Sequence, residues 1–133
     1  MIRSVSPVDA PGAGKGIFQF RDGATYKGDF RKNKKHGRGR YIWASGNVYV
    51  GDFRNDKMDG DGEMTYNTTN HFYRGQWRDN KKHGRGFFQF VDGNTYEGEF
   101  IADVQDGFGK LVYMPGTILE ESYEGEWAQG RRE

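Results

Sequence analysis

The chain contains no cysteine, only three prolines and only two leucines among its 133 residues. Without cysteine, a disulfide scaffold, a thiolate metal site and a cysteine nucleophile are all excluded, and a reducing compartment is compatible. Valine, isoleucine and leucine together number 14, too few for an aliphatic helical bundle. No apolar run approaches the roughly 20 residues of a membrane-spanning helix, and the N-terminus lacks the apolar core of a signal peptide. We expect a soluble, cytoplasmic protein.

Glycine and aromatic residues are abundant instead. The chain has 21 Gly, 10 Phe, 8 Tyr and 3 Trp, and its 20 Lys and Arg nearly cancel its 19 Asp and Glu. A disordered chain has few aromatics and a high net charge, whereas large rings supply apolar area for a core. The composition therefore predicts a folded domain built on rings and glycines.

An internal repeat places 19 of the 21 glycines in register. Five copies of Tyr-x-Gly-x-(Phe/Trp) begin at Tyr26, Tyr49, Tyr73, Tyr96 and Tyr123. Each copy is preceded by Gly-x-Gly-x-Φ-x-aromatic, which begins at Gly14, Gly37, Gly60, Gly84 and Gly107. The unit of this repeat spans both patterns.

Both patterns alternate with period two, which is typical of β-strands. Tyr26, Gly28 and Phe30 fall on one face, and Lys27 and Asp29 fall on the other. Asp-Gly and Ser-Gly turn signals separate the strands on one side, and polar loops such as 32–36 separate them on the other. The sequence predicts an all-β protein: an antiparallel meander of about ten strands, in which rings cover the glycines of neighbouring strands and form a core one ring thick.

This pattern resembles the MORN (membrane occupation and recognition nexus) repeat family. The match is clearest from Tyr73-Arg74-Gly75-Gln76-Trp77 to His83-Gly84-Arg85-Gly86-Phe87-Phe88-Gln89-Phe90, and it extends from Gly14 to about Arg132. The resemblance implies a single-layer, twisted antiparallel β-meander whose groove can receive a partner peptide. It also implies a scaffold for cytoskeletal, flagellar, motor or membrane-associated structures, with no enzyme activity in the repeats themselves.

The aromatic side of the sheet is the first candidate site. A single sheet must bury its apolar side, and a peptide or helix from a protein partner would fill any groove that the rings leave. The candidate groove residues are Tyr26, Phe30, Tyr41, Trp43, Tyr49, Phe53, Tyr66, Tyr73, Trp77, Phe88, Phe90, Tyr96, Phe100 and Tyr113. Purely structural rings are the alternative.

Two equivalent basic hairpin loops, two units apart, form the second candidate site. Residues 14–48 carry nine Lys and Arg against two Asp and Glu, whereas residues 96–133 carry three against nine. The candidate loop residues are Arg31, Lys32, Lys34, Lys35, Arg38, Arg78, Lys81, Lys82 and Arg85. They would bind acidic phospholipid headgroups in a membrane-recruitment module, or an acidic protein surface. Solubilising loop charge is the simpler interpretation.

Other chemistry finds little support in the sequence. No helix follows the Gly-x-Gly pairs to cradle a phosphate, the three histidines are scattered, and carboxylate pairs such as Glu97 and Glu99 fall on a solvated strand face. We expect no catalytic residues, no cofactor and no metal. Nucleic acid is disfavoured because the net charge is only +1.

The domain prediction is a flexible lead-in over residues 1–13, followed by a repeat array over residues 14–133 with half-units at both ends. Open strand edges invite pairing with another chain, so a homodimer through those edges is an alternative, as is a fragment of a longer array. The primary functional prediction is a non-enzymatic scaffold for a protein partner.

Overall fold

A computed structural model of the protein describes residues 2–4 and 13–132. They form one open antiparallel sheet of twelve strands, ordered in space as in sequence. The strands are β1 (Ile2–Ser4), β2 (Ala13–Phe20), β3 (Thr25–Arg31), β4 (Lys34–Ile42), β5 (Val48–Arg54), β6 (Lys57–Tyr66), β7 (His71–Arg78), β8 (Lys81–Gln89), β9 (Thr95–Ile101), β10 (Val104–Tyr113), β11 (Glu121–Ala128) and β12 (Arg131–Arg132). The predicted all-β, single-layer meander is confirmed.

The ten predicted strands are β2 to β11, and they pair as five successive hairpins, which we call units 1 to 5. Two short strands are additional. β1 lies within the segment predicted as a lead-in and pairs with β2, and β12 pairs with β11. Residues 5–12 of that segment lie outside the described residues. No helix capable of crossing a membrane occurs in the described ranges.

Tyrosines packed over glycines build the core on one face of the sheet, which we call the aromatic face. Four of the repeat tyrosines, such as Tyr73, are fully buried and lie over the second Gly of the next Gly-x-Gly pair, here Gly86, whereas the half-buried Tyr123 lies over Gly125 of its own strand. Its hydroxyl donates to the main-chain carbonyl three residues on, which for Tyr73 is Gln76 at 2.8 Å. The same bond recurs from Tyr26, Tyr49, Tyr96 and Tyr123. Because a side chain in place of the glycine would displace the ring, glycine is required there.

The tyrosines alternate with Phe and Trp rings in a continuous row, which we call the buried ring row. Successive rings meet edge to face, with centroids 5.1–5.6 Å apart and planes at 79–89°. The row runs Tyr26, Phe53, Tyr49, Trp77, Tyr73, Phe100, Tyr96, Trp127 and Tyr123. Edge-to-face pairs add about 0.5–1.5 kcal/mol beyond area burial, so this row joins one unit to the next.

In units 2 to 5, the first glycine of the Gly-x-Gly pair lies in a β-bulge. Gly84, for example, has a φ of 92°, and the pairing of β7 with β8 shifts register beside it. The Gln76 side chain fills the bulge and accepts a hydrogen bond from the Arg85 amide at 2.7 Å. Asp29, Asp52 and Glu99 do the same in their units. Glu99 therefore caps a bulge while it lies on the exposed strand face that was expected of it.

The polar loops of 32–36 type are shorter than the sequence suggested. Only Lys32 and Asn33, both with positive φ, connect β3 to β4, and Lys34 already belongs to β4. Two successive positive φ values match the type I′ turns that favour tight hairpins. The prediction of a long basic loop over residues 31–38 is therefore wrong in its geometry.

The tyrosine–glycine contact predicts a specific loss of stability. Replacing Gly86 by Ala would drive a methyl group into the Tyr73 ring, and such overpacking costs about 1–3 kcal/mol of unfolding free energy. Urea unfolding measures the change. In the same unit, Gly93 has no atom within 4 Å of a would-be Cβ, so Gly93→Asn, which meets the backbone strain of a φ of 95° but no ring, is the control. Equal losses in the two variants would contradict the packing.

Stability should fall at alkaline pH. Burial raises the pKa of Tyr96 to about 12. Burial also raises the pKa of Tyr26 and of Tyr49 well above the ordinary 10.0, and nearby carboxylates raise it further. Above pH 10 the unfolded chain loses these protons while the folded chain keeps them, so the unfolding free energy decreases as pH rises. Urea midpoints between pH 9 and pH 12 measure it, with tyrosinate absorbance reporting ionisation. A midpoint that is constant over that range would contradict the expectation.

Candidate functional site

The aromatic face divides the predicted groove residues into two sets. Eight are buried in the core and cannot contact a partner while the sheet is folded: Tyr26, Phe30, Tyr49, Phe53, Tyr73, Trp77, Tyr96 and Phe100. Six keep part of their surface exposed: Tyr41, Trp43, Tyr66, Phe88, Phe90 and Tyr113. The surface available for binding is therefore narrower than the predicted groove. Phe20, which sequence reasoning left out, joins the exposed set.

These seven partly exposed rings form what we call the outer ring row, and it contains two clusters. In the first, Tyr41 lies 5.6 Å from Phe20 and 4.6 Å from Trp43 between ring centroids. In the second, Phe88 lies 4.8 Å from Phe90 and 6.3 Å from Tyr66. Each cluster presents ring surface that no described residue covers completely.

Two of the predicted basic contact residues occupy these clusters. The Lys35 ammonium lies 5.3–5.9 Å from the ring centroids of Phe20, Tyr26, Tyr41 and Phe53. The Lys82 ammonium lies 5.6–5.9 Å from those of Tyr66, Tyr73, Trp77 and Phe88. Their side chains are only 17% and 12% exposed. Lys35 and Lys82 are therefore enclosed by rings and do not extend from loops as predicted.

An aspartate in the neighbouring turn holds each of these lysines. The Asp56 carboxylate accepts a hydrogen bond from the Lys35 amide at 2.8 Å and lies 3.4 Å from its ammonium. Asp103 makes the same two contacts with Lys82, at the same distances. The turn that follows β5 thus clamps β4, and the turn that follows β9 clamps β8.

One position of the repeat is equivalent in units 2 to 5, because strand register pairs it each time with the last ring of a Tyr-x-Gly-x-(Phe/Trp) pattern. The pairs are Lys35 with Phe30, Met58 with Phe53, Lys82 with Trp77 and Gln105 with Phe100. The turn residue that contacts this position also differs between units: it is Asp56 for Lys35 and Asp103 for Lys82. Met58 has the neutral Asn80, whose side chain accepts from its amide at 2.8 Å, and Gln105 faces Gly130, which has no side chain. A cavity of about 300 Å³ opens beside Gln105.

The remaining basic residues stay exposed. Arg31, Lys32 and Lys34 surround one two-residue turn, and Arg78 and Lys81 flank its counterpart. Arg38 and Arg85 lie instead on the opposite face of the sheet, which we call the polar face. A role of these residues in binding phospholipid stays a prediction.

The polar face carries a concavity of about 510 Å³ in units 1 and 2. Its floor includes Ile17 and Val50, and its rim includes four cations: Lys15, Lys27, Arg38 and Arg40. Lys15 and Arg38 contact Asp29 and Asp52 at 2.9 and 3.1 Å, and the contact with Lys15 lowers the pKa of Asp29. The described residues include no group of three His, Asp or Glu side chains placed to hold a metal ion.

Enclosure of the lysines predicts unequal effects of truncation. Lys82→Ala should lower the unfolding free energy by about 1–2 kcal/mol because the alkyl stem covers ring surface. The neighbouring Lys81, which is exposed, is the matched control, and Lys81→Ala should leave stability unchanged. Lys35→Ala and Lys34→Ala form a second such pair. Urea unfolding of all four variants measures the change in unfolding free energy. Equal losses of unfolding free energy within a pair would refute the enclosed geometry.

Comparison with known proteins agrees with the fold. The family model described as MORN repeat matches residues 13–25, 26–48, 49–70, 73–95, 96–118 and 123–133. No curated protein matches the chain.

A matching solved structure is the SAS-4 (dCPAP) TCP domain in complex with a Proline Rich Motif of Ana2 (dSTIL), from Drosophila melanogaster. The two chains are 17% identical, with a TM-score of 0.52 over 91% of this chain and 71% of that one. At that identity the likeness concerns the fold alone. The family model, in contrast, matches segments in all five units, and the chain belongs to the MORN repeat family.

Proposed function

We propose that this protein is a non-enzymatic scaffold that binds an extended, proline-rich peptide of a partner protein across the outer ring row. The observation that carries the proposal is the row itself: partly exposed rings in two clusters on a face whose deeper rings are already buried. Exposed apolar patches on folded domains mark interaction sites.

The shape and chemistry of the row favour an extended occupant. Ring clusters centred on Tyr41 and Phe88 lie four strands apart, about 19 Å at 4.8 Å per strand, which an extended chain of about six residues spans. Polyproline segments are held by aromatic grooves in several recognition domains because their prolines stack on rings and their backbone is already ordered. The structural neighbour described above was solved with a proline-rich motif, which supports the choice of peptide.

Fluorescence anisotropy with a panel of labelled synthetic proline-rich peptides tests the proposal. Phe88→Ala should weaken binding about tenfold, because a central ring anchor contributes roughly 1–2 kcal/mol. The adjacent Phe87 lies on the polar face beneath Arg74, so Phe87→Ala is the matched control and should bind like the parent protein. Tyr113→Ala, which removes a ring that is 37% exposed, provides a second variant at the margin of the row.

Thermal melting of each variant separates lost binding from lost folding. Failure of every peptide in the panel to bind the parent protein, or equal weakening by the changes at Phe87 and Phe88, would refute the proposal.

A further inference from the structure

In the described part of the aromatic face, a cavity beside Gln105 leaves a ring cluster of the repeat open. Phe20, Tyr66 and Phe90 are equivalent rings in units 1, 3 and 4. Lys35 covers Phe20 and Lys82 covers Tyr66, with ammonium-to-centroid distances of 5.5 and 5.6 Å. The residue equivalent to those lysines beside Phe90 is Gln105, whose side chain is shorter and uncharged. The cavity of about 300 Å³ lies there.

The walls of this cavity favour a cation. Phe88 and Phe90 contribute ring surface above the buried Phe100, and Asp103 contributes a carboxylate that is 44% exposed. Lys82 also borders the cavity, but its ammonium is 3.4 Å from Asp103 and its side chain is only 12% exposed, so the pair adds little net charge. Residues 96–133 carry nine acidic and three basic residues, and Asp103 is the acidic residue among them that lines the cavity.

We infer that this cavity binds the side chain of a lysine in a basic segment of the partner, so that the partner supplies the alkyl ammonium that the array supplies for itself at Lys35 and Lys82. The inference rests on the proposed function for the identity of the partner as a peptide. Its chemical basis is independent of that proposal: an ammonium over aromatic faces gains about 0.5–2 kcal/mol, and the acidic end of the array attracts a basic segment.

The internal sites define a variant that should close the cavity. Gln105→Lys together with Gly130→Asp recreates the lysine and its clamping aspartate. Gly130 has a φ of 82°, close to the 72° and 75° of Asp56 and Asp103, and a Cβ there would be 3.5 Å from Val104, so the turn accepts an aspartate. The matched control is Met58→Lys with Asn80→Asp, which makes the same two changes in a unit whose position is already filled.

Nuclear magnetic resonance with N-acetyl-lysine N′-methylamide as the probe tests the inference without any peptide. Saturable shifts are expected at the amides of Val104, Gln105 and Gly130 in the parent protein and in the control variant. The closed variant should bind about tenfold more weakly, and the norleucine analogue, which lacks the ammonium, should also be weaker. Equal shifts from norleucine, or unchanged binding by the closed variant, would overturn the inference.

Peptides then separate this inference from the proposed function. A proline-rich peptide that binds equally well with lysine or norleucine at every position would overturn the lysine site and leave the scaffold standing. Binding of the lysine amide alone, with no peptide bound, would support the site and refute the peptide-binding proposal.

Discussion

The tyrosine that lies flat over a glycine of the next strand is the contact on which this single-layer sheet depends. A sheet without a second layer has to complete its core from its own side chains, and a ring can cover neighbouring backbone only where no side chain stands. The hydroxyl bond from Tyr73 to the Gln76 carbonyl holds the ring in that position. Once the rings lie flat, the Phe and Trp rings meet their edges and join the units into one row.

A consequence of that arrangement is that the two classes of ring have separate tasks. Apart from the half-buried Tyr123 at its end, the buried ring row is almost completely shielded from a partner, whereas rings such as Tyr41 and Phe88 rest on it and remain partly exposed. The core therefore acts as a rigid support for the outer rings. Binding surfaces on rigid supports lose less conformational entropy when a partner is captured, which suits a scaffold.

Much of the fold follows from the sequence because its signals are local and repeated. Period-two alternation and the spacing of the glycines predict the strands, their order and the face that the rings share. The enclosure of Lys35 and Lys82 could not be predicted from charge, because lysine is ordinarily exposed and a type I′ turn at Lys32 and Asn33 has little sequence signal of its own. One clue was present: Met58 occupies the same position of the repeat, and methionine is typical of buried positions.

The position shared by Lys35, Met58, Lys82 and Gln105 is occupied by a cation, a thioether or an amide on an unchanged backbone. The backbone therefore accommodates a lysine, a methionine or a glutamine there, each with a turn residue opposite that is compatible in charge. What the fold requires is a long side chain that covers the rings beneath, and the chemical group at its end can differ from unit to unit. Each unit can therefore display its own surface chemistry at this position while the row of rings below stays the same.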